Sequence, residues 1–120
     1  MKNTIALTLL AASLTGCGSR DARSQKQMIG GWAGDGLGKI TLASDSSYVF
    51  RQADGVTYQG TWTVQNGEYI ATLTNRIADG QKNLQPLGSV ARSKIVTLDE
   101  HHLVLETETG IKGQTITLIR

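Results

Sequence analysis

From Met28 to the end of the chain, apolar and polar residues alternate with a period of two. Turn signals break the pattern about every eight to twelve residues, the spacing of an all-β sandwich or barrel. The clearest unit is TWTVQNGEYIATL, Thr61 to Leu73. Asn66-Gly67 suits a two-residue type I′ turn, whose central positions both need positive φ. Such a turn pairs Val64 with Tyr69, Trp62 with Ala71 and Gly60 with Leu73, so small and apolar residues share one face. Gln59, Thr61, Thr63, Gln65, Glu68, Thr72 and Thr74 take the other face, where Ile70 is the one apolar misfit.

The preceding hairpin has two readings that differ by one residue of register. A tight Asp54-Gly55 turn would set Phe50 opposite Gln59 and turn Tyr48 and Phe50 outward. A three-residue loop, Ala53-Asp54-Gly55, sets Phe50 opposite Tyr58 and Tyr48 opposite Gly60, with Gly55 left-handed in a G1 bulge. A one-residue slip moves every side chain across the sheet, so burial favours the longer loop. The pattern predicts strands over Ile29–Gly34, Gly38–Ser44, Tyr48–Gln52, Val56–Gln65, Glu68–Asn75, Ser89–Leu98, His102–Thr107 and Gln114–Ile119. It predicts no helix of any length. Short connections favour a small up-and-down antiparallel barrel of about eight strands, whose closure removes exposed edges.

The first 27 residues read differently. Met1-Lys2-Asn3 is a short positive start, and Thr4 to Leu14 (TIALTLLAASL) is apolar over about eleven residues, a secretory signal too short to span a bilayer. The lone cysteine, Cys17, allows no internal disulfide. Leu14-Thr15-Gly16-Cys17 resembles the lipobox of bacterial lipoproteins, which implies cleavage before Cys17 and a lipid-modified cysteine. Residues 1–16 are then the signal peptide, 17–27 the lipidated cysteine with a flexible tether, and 28–120 the barrel domain. The tether, GSRDARSQKQ after the cysteine, lacks apolar periodicity; a short helix is its other reading. Several acyl chains anchor durably where one does not. With Gly18 rather than Asp after the cysteine, the resemblance points to the outer membrane of a Gram-negative envelope, facing the periplasm.

Charge excludes more than it identifies. The formal net charge of +2 falls to about +1 once Lys2 leaves with the signal, and no basic run stands out. Nucleic acid is therefore not an expected partner.

Gly30-Gly31-Trp32 near the first strand and Leu118-Ile119-Arg120 at the last resemble the lipocalin-like pattern of the calycin superfamily. The resemblance implies that Trp32 plugs one end of the barrel, that Gly30 belongs to the same plug, and that Arg120 lies over the indole. A guanidinium stacked there contributes about 0.5 to 2 kcal/mol. Gly60-Thr61-Trp62 after Ser-Ser-Tyr-Val-Phe is similar to small bacterial lipocalin-like lipoproteins. Tyr48, Phe50, Tyr58, Trp62 and Tyr69 all face inward, where they either fill the interior or line a small cavity. A short eight-stranded barrel permits both, and a void above about 300 Å³ would favour the cavity.

Other segments tempt less. Asp99-Glu100-His101-His102 holds metal-type side chains, but neighbours on a strand point to opposite faces, so it reads as a polar turn and no metal or other cofactor is expected. Gly34-Asp35-Gly36-Leu37-Gly38 leads into a strand, not a helix, and reads as a hairpin loop. Arg76 to Gly88 is the longest connection and holds the single proline. No nucleophile-base constellation is evident, so an enzyme is not expected. The primary expectation is a membrane-anchored, non-enzymatic barrel that meets an envelope protein as an interaction or inhibitor module. The alternative is a lipocalin-like binder of a small apolar ligand.

Overall fold

The computed structural model describes residues 20–120, and the lipobox, Cys17 and the signal segment lie outside them. Eight antiparallel strands run in sequence order around a closed barrel: β1 (Gly30–Gly34), β2 (Gly38–Leu42), β3 (Ser47–Gln52), β4 (Thr57–Gln65), β5 (Glu68–Ile77), β6 (Val90–Leu98), β7 (His102–Thr107) and β8 (Thr115–Ile119). Each strand bonds its sequence neighbours, and β1 meets β8 at Ala33 and Ile119 to shut the seam.

The register follows the side-chain argument. Val64 faces Tyr69, Trp62 faces Ala71 and Gly60 faces Leu73. Phe50 faces Tyr58 and Tyr48 faces Gly60. The loop between β3 and β4 closes with Gln52 N–H donating to the Val56 carbonyl at 2.8 Å. Gly55 there has φ +96°, the left-handed conformation the bulged loop requires. Thr74 is the extra residue of a bulge between Gln59 and Gly60, which lets β5 run on to Ile77.

A helix over 20–28 packs on one end of the barrel, so the tether takes its alternative reading, a short helix, rather than that of a flexible segment. Its partly or fully buried positions are Asp21, Ser24, Gln25 and Met28, the spacing of one helical face. Only Met28 on that face is apolar, and it is fully buried. The rest of the face docks through polar groups. The Asp21 carboxylate accepts from Asn66 N–H at 2.7 Å and Gly67 N–H at 3.0 Å, in the turn between β4 and β5. Gln25 Oε1 accepts from Val64 N–H at 3.1 Å and Thr63 Oγ1 at 3.3 Å, where β4 has outrun the pairing of β3. A nine-residue helix is marginal alone, so these tertiary contacts hold it.

The two ends of the barrel differ. At the helix end, Met28, Trp32, Leu42, Trp62 and Leu103 form a dense core. The opposite end carries the β1–β2, β3–β4, β5–β6 and β7–β8 connections, and forms the mouth.

Candidate functional site

Trp32 is fully buried, and its Nε1–H donates to the Met28 carbonyl at 2.8 Å. The Arg120 guanidinium carbon lies 4.1 Å from the centre of the Trp32 ring. Arg120 also donates from Nε to the Glu100 carbonyl at 2.7 Å and from Nη1 to the Ile29 carbonyl at 3.0 Å. One side chain thereby joins β8, the β6–β7 turn and the start of β1. Gly30, at φ +134°, sits beneath it: a Cβ there would come within 3.3 Å of Arg120 Nη1. These three residues seal the helix end.

The five aromatic residues do not act alike. Tyr48, Phe50, Tyr58 and Tyr69 line a cavity of about 520 Å³ that reaches the mouth loops. Trp62 does not line it. It lies beneath Tyr69, with ring centres 6.3 Å apart, and its Nε1–H donates to the Ala43 carbonyl at 3.2 Å. The indole therefore belongs to the closed end, which corrects the expectation that it faces a ligand. Phe50 and Tyr58 lie 6.4 Å apart in a tilted pair. Tyr48 is pressed onto Gly60, where a Cβ would come within 2.7 Å of Tyr48 Cε2 and would run into the Thr72 carbonyl.

The hollow exists because the aromatic wall runs on into small residues. Ala71 on β5, Ser89 just before β6, and Ala91 and Ser93 along β6 continue it, and Ile40, Leu105, Ile116 and Leu118 complete the lining. Val96, a β-branched residue of β6, is instead 54% exposed, displaced at a register shift between Ile95 and Thr97. A β6 that presents alanine and serine inward leaves room that valine and isoleucine would have filled.

Polar groups line the cavity at two levels: Gln52, Gln85, Ser89, Thr107 and Thr109 near the mouth, and Tyr48, Tyr69 and Ser93 deeper in. Tyr69 and Ser93 face each other across β5 and β6, and Ser93 is the buried polar side chain of the described core. Burial pushes the Tyr69 hydroxyl well above the ordinary phenol range, with Tyr48 beside it adding to the shift. Burial raises Tyr48 as well. Both stay neutral at physiological pH. Among the described residues that line the cavity there is no Lys, Arg, His, Asp or Glu.

The long connection folds over one side of the mouth. Gln81 Nε2 donates to the Asp54 carbonyl at 3.0 Å, and Gln85 N–H donates to the Tyr58 hydroxyl at 3.3 Å. Arg76 Nη1 donates to the Gln85 carbonyl, and Leu84 packs against the core. From the β1–β2 hairpin, where Gly34 pairs with Gly38, Leu37 contributes to the cavity wall.

The histidine pair lies at the other end, in the β6–β7 turn. The Asp99 carboxylate accepts from His101 N–H at 2.9 Å and His102 N–H at 2.8 Å. The His101 backbone bond, followed by those of His102, lowers the Asp99 pKa. Among the described residues, no three His, Cys, Asp or Glu side chains gather as a metal site.

No protein-family model matches the chain, and neither curated proteins nor solved structures match it. The fold and the site define a class by themselves: an eight-stranded up-and-down barrel, plugged at one end and hollow toward the other.

Proposed function

We propose that the protein is a lipocalin-like binder of a small, largely apolar molecule, held on a bacterial envelope membrane by lipid on Cys17. The observation that carries the binding reading is the cavity of about 520 Å³. It falls inside the roughly 300 to 1,000 Å³ range of small-molecule sites and has their composition, an apolar wall with a few polar groups. The volume supports ligand binding over the interaction or inhibitor role expected from the sequence, since a carrier needs a hollow and a scaffold does not.

The mooring reading rests on the lipobox, Leu14 to Cys17. It combines with the helix in one consequence. Cys17 precedes the helical position Arg20 by three residues, a span of at most about 10 Å. An anchor on Cys17 therefore holds the plugged end toward the bilayer and turns the mouth away from it. In cells fed labelled palmitate the wild-type chain takes up label, and Cys17→Ala does not. Label retained by that variant would remove the lipid anchor from the proposal.

The binding test fills the cavity. Ala91→Phe places a ring beside Ala71, Ser93 and Thr107, all of which line the cavity. We expect it to weaken binding of the neutral apolar probe N-phenyl-1-naphthylamine more than tenfold while the far-ultraviolet β spectrum is kept. Unchanged binding would place the probe elsewhere and sink the cavity as the site.

A further inference from the structure

The chemistry of the cavity narrows its ligand beyond "apolar". The inference rests on the binding reading above. Tyr69 and Ser93 are direct cross-strand partners on the inner face, and Tyr48 lies close enough to raise the pKa of Tyr69. All three line the cavity. They belong to its inner part: Tyr69 pairs with Val64 next to the β4–β5 turn, on the side of the helix. Above this floor the wall is apolar at Ile40, Phe50 and Ile116, and uncharged polar side chains, Gln52, Gln85, Thr107 and Thr109, line it nearer the mouth. Side-chain charge is absent from the described residues around it.

We infer that the ligand is an uncharged amphiphile whose buried polar end is a hydroxyl, carbonyl or similar neutral group, received by the Tyr48, Tyr69 and Ser93 hydroxyls.

Hydroxyl groups both donate and accept, so they satisfy an alcohol or an ester from either side. An ionised head group meets a different environment. Moving a carboxylate or ammonium out of water without a counter-charge is so costly that the group neutralises or stays outside. The two tyrosines cannot supply a counter-charge, because burial holds both phenols in their neutral form. A carboxylate-headed chain could enter only with its head left in water at the mouth, which forfeits the floor.

The experiment displaces N-phenyl-1-naphthylamine with twelve-carbon probes that share a chain and differ at the head: dodecanol, glycerol monolaurate, dodecanoate and dodecylammonium. At about pH 8, we expect the alcohol and the monoester to bind at least tenfold more tightly than either ion. As pH falls toward about 5, dodecanoate becomes protonated and should approach the alcohol. Tyr48→Phe with Tyr69→Phe should weaken dodecanol about three- to tenfold, the loss of one net hydrogen bond. Dodecane, which has no polar end, should be unaffected by that double substitution. Dodecanoate binding as tightly as dodecanol at about pH 8 would overturn the neutral-head assignment and leave the cavity reading standing. An equal loss for dodecane and dodecanol would overturn the hydroxyl floor. Failure of every probe, including the naphthylamine, would overturn both.

Discussion

Arg120 shows how much one terminal side chain can hold. Its guanidinium covers Trp32 at 4.1 Å and donates to two carbonyls from different segments. The seam it spans has little else, since β1 and β8 share one register pair. Arg120→Ala should therefore lower stability by about 1 to 2 kcal/mol in urea denaturation, more than an exposed arginine usually contributes. Arg120→Lys should recover only part of this, because an ammonium cannot stack flat while donating in two directions. The tyrosines give a second residue-scale prediction, in pH. Tyr69 has its folded pKa raised above the ordinary 10.0 by burial, and Tyr48 shifts the same way. Above about pH 10 the unfolded chain releases these protons and the folded chain keeps them, so stability falls as pH rises. Below that pH the contribution is fully present. The decline should approach about 1.4 kcal/mol per pH unit for each fully shifted tyrosine. Tyr69→Phe should flatten it in denaturation curves taken from about pH 9 to 11.

At the scale of elements, the helix over 20–28 is the part that reading the chain for apolar periodicity missed. Its docking face is Asp21, Ser24, Gln25 and Met28, three of them polar. It seals the end by accepting from backbone donors, Val64 N–H beyond the end of β3 and the Asn66 and Gly67 N–H of the β4–β5 turn, not by burying a stripe of hydrocarbon. Asp21→Ala should therefore speed hydrogen exchange at the Asn66 and Gly67 amides. Gln25→Ala should do the same at Val64, and the amides of β2 and β3 should stay protected. Equal acceleration throughout would mean that the helix supports the whole barrel rather than this edge. The hairpins were legible for the opposite reason. In β3, β4 and β5, the turn residues and the apolar face demand the same register, so Asn66-Gly67 and Gly55 agree with Phe50, Tyr58 and Trp62. In β6 the apolar residues are unevenly placed, and the shift after Ile95 sends Val96 outward. Alternation alone could not show which of its residues face the centre.

For the whole molecule, the asymmetry between the ends is the consequential feature. Trp32, Trp62, Met28 and Leu103 pack solidly beneath the helix, while the space above Tyr69 stays hollow. A plugged end and an open end suit a vessel better than a spacer. A lipid on Cys17 would moor that vessel by its base. The order of the strands, the two hairpin registers and the inward aromatic set were determined by the chain itself. Each rests on local turn geometry and a period of two, which neighbouring residues decide among themselves. The Trp32–Arg120 plug also left a trace at either end of the sequence, though its contact needed the barrel to close. The cavity was decided only in three dimensions. Whether four aromatic side chains fill a space depends on what stands around them, and here that includes Ala71 on β5 and, on the neighbouring β6, Ala91 and Ser93, set by a pairing across the long Arg76–Gly88 connection that no tight turn fixes.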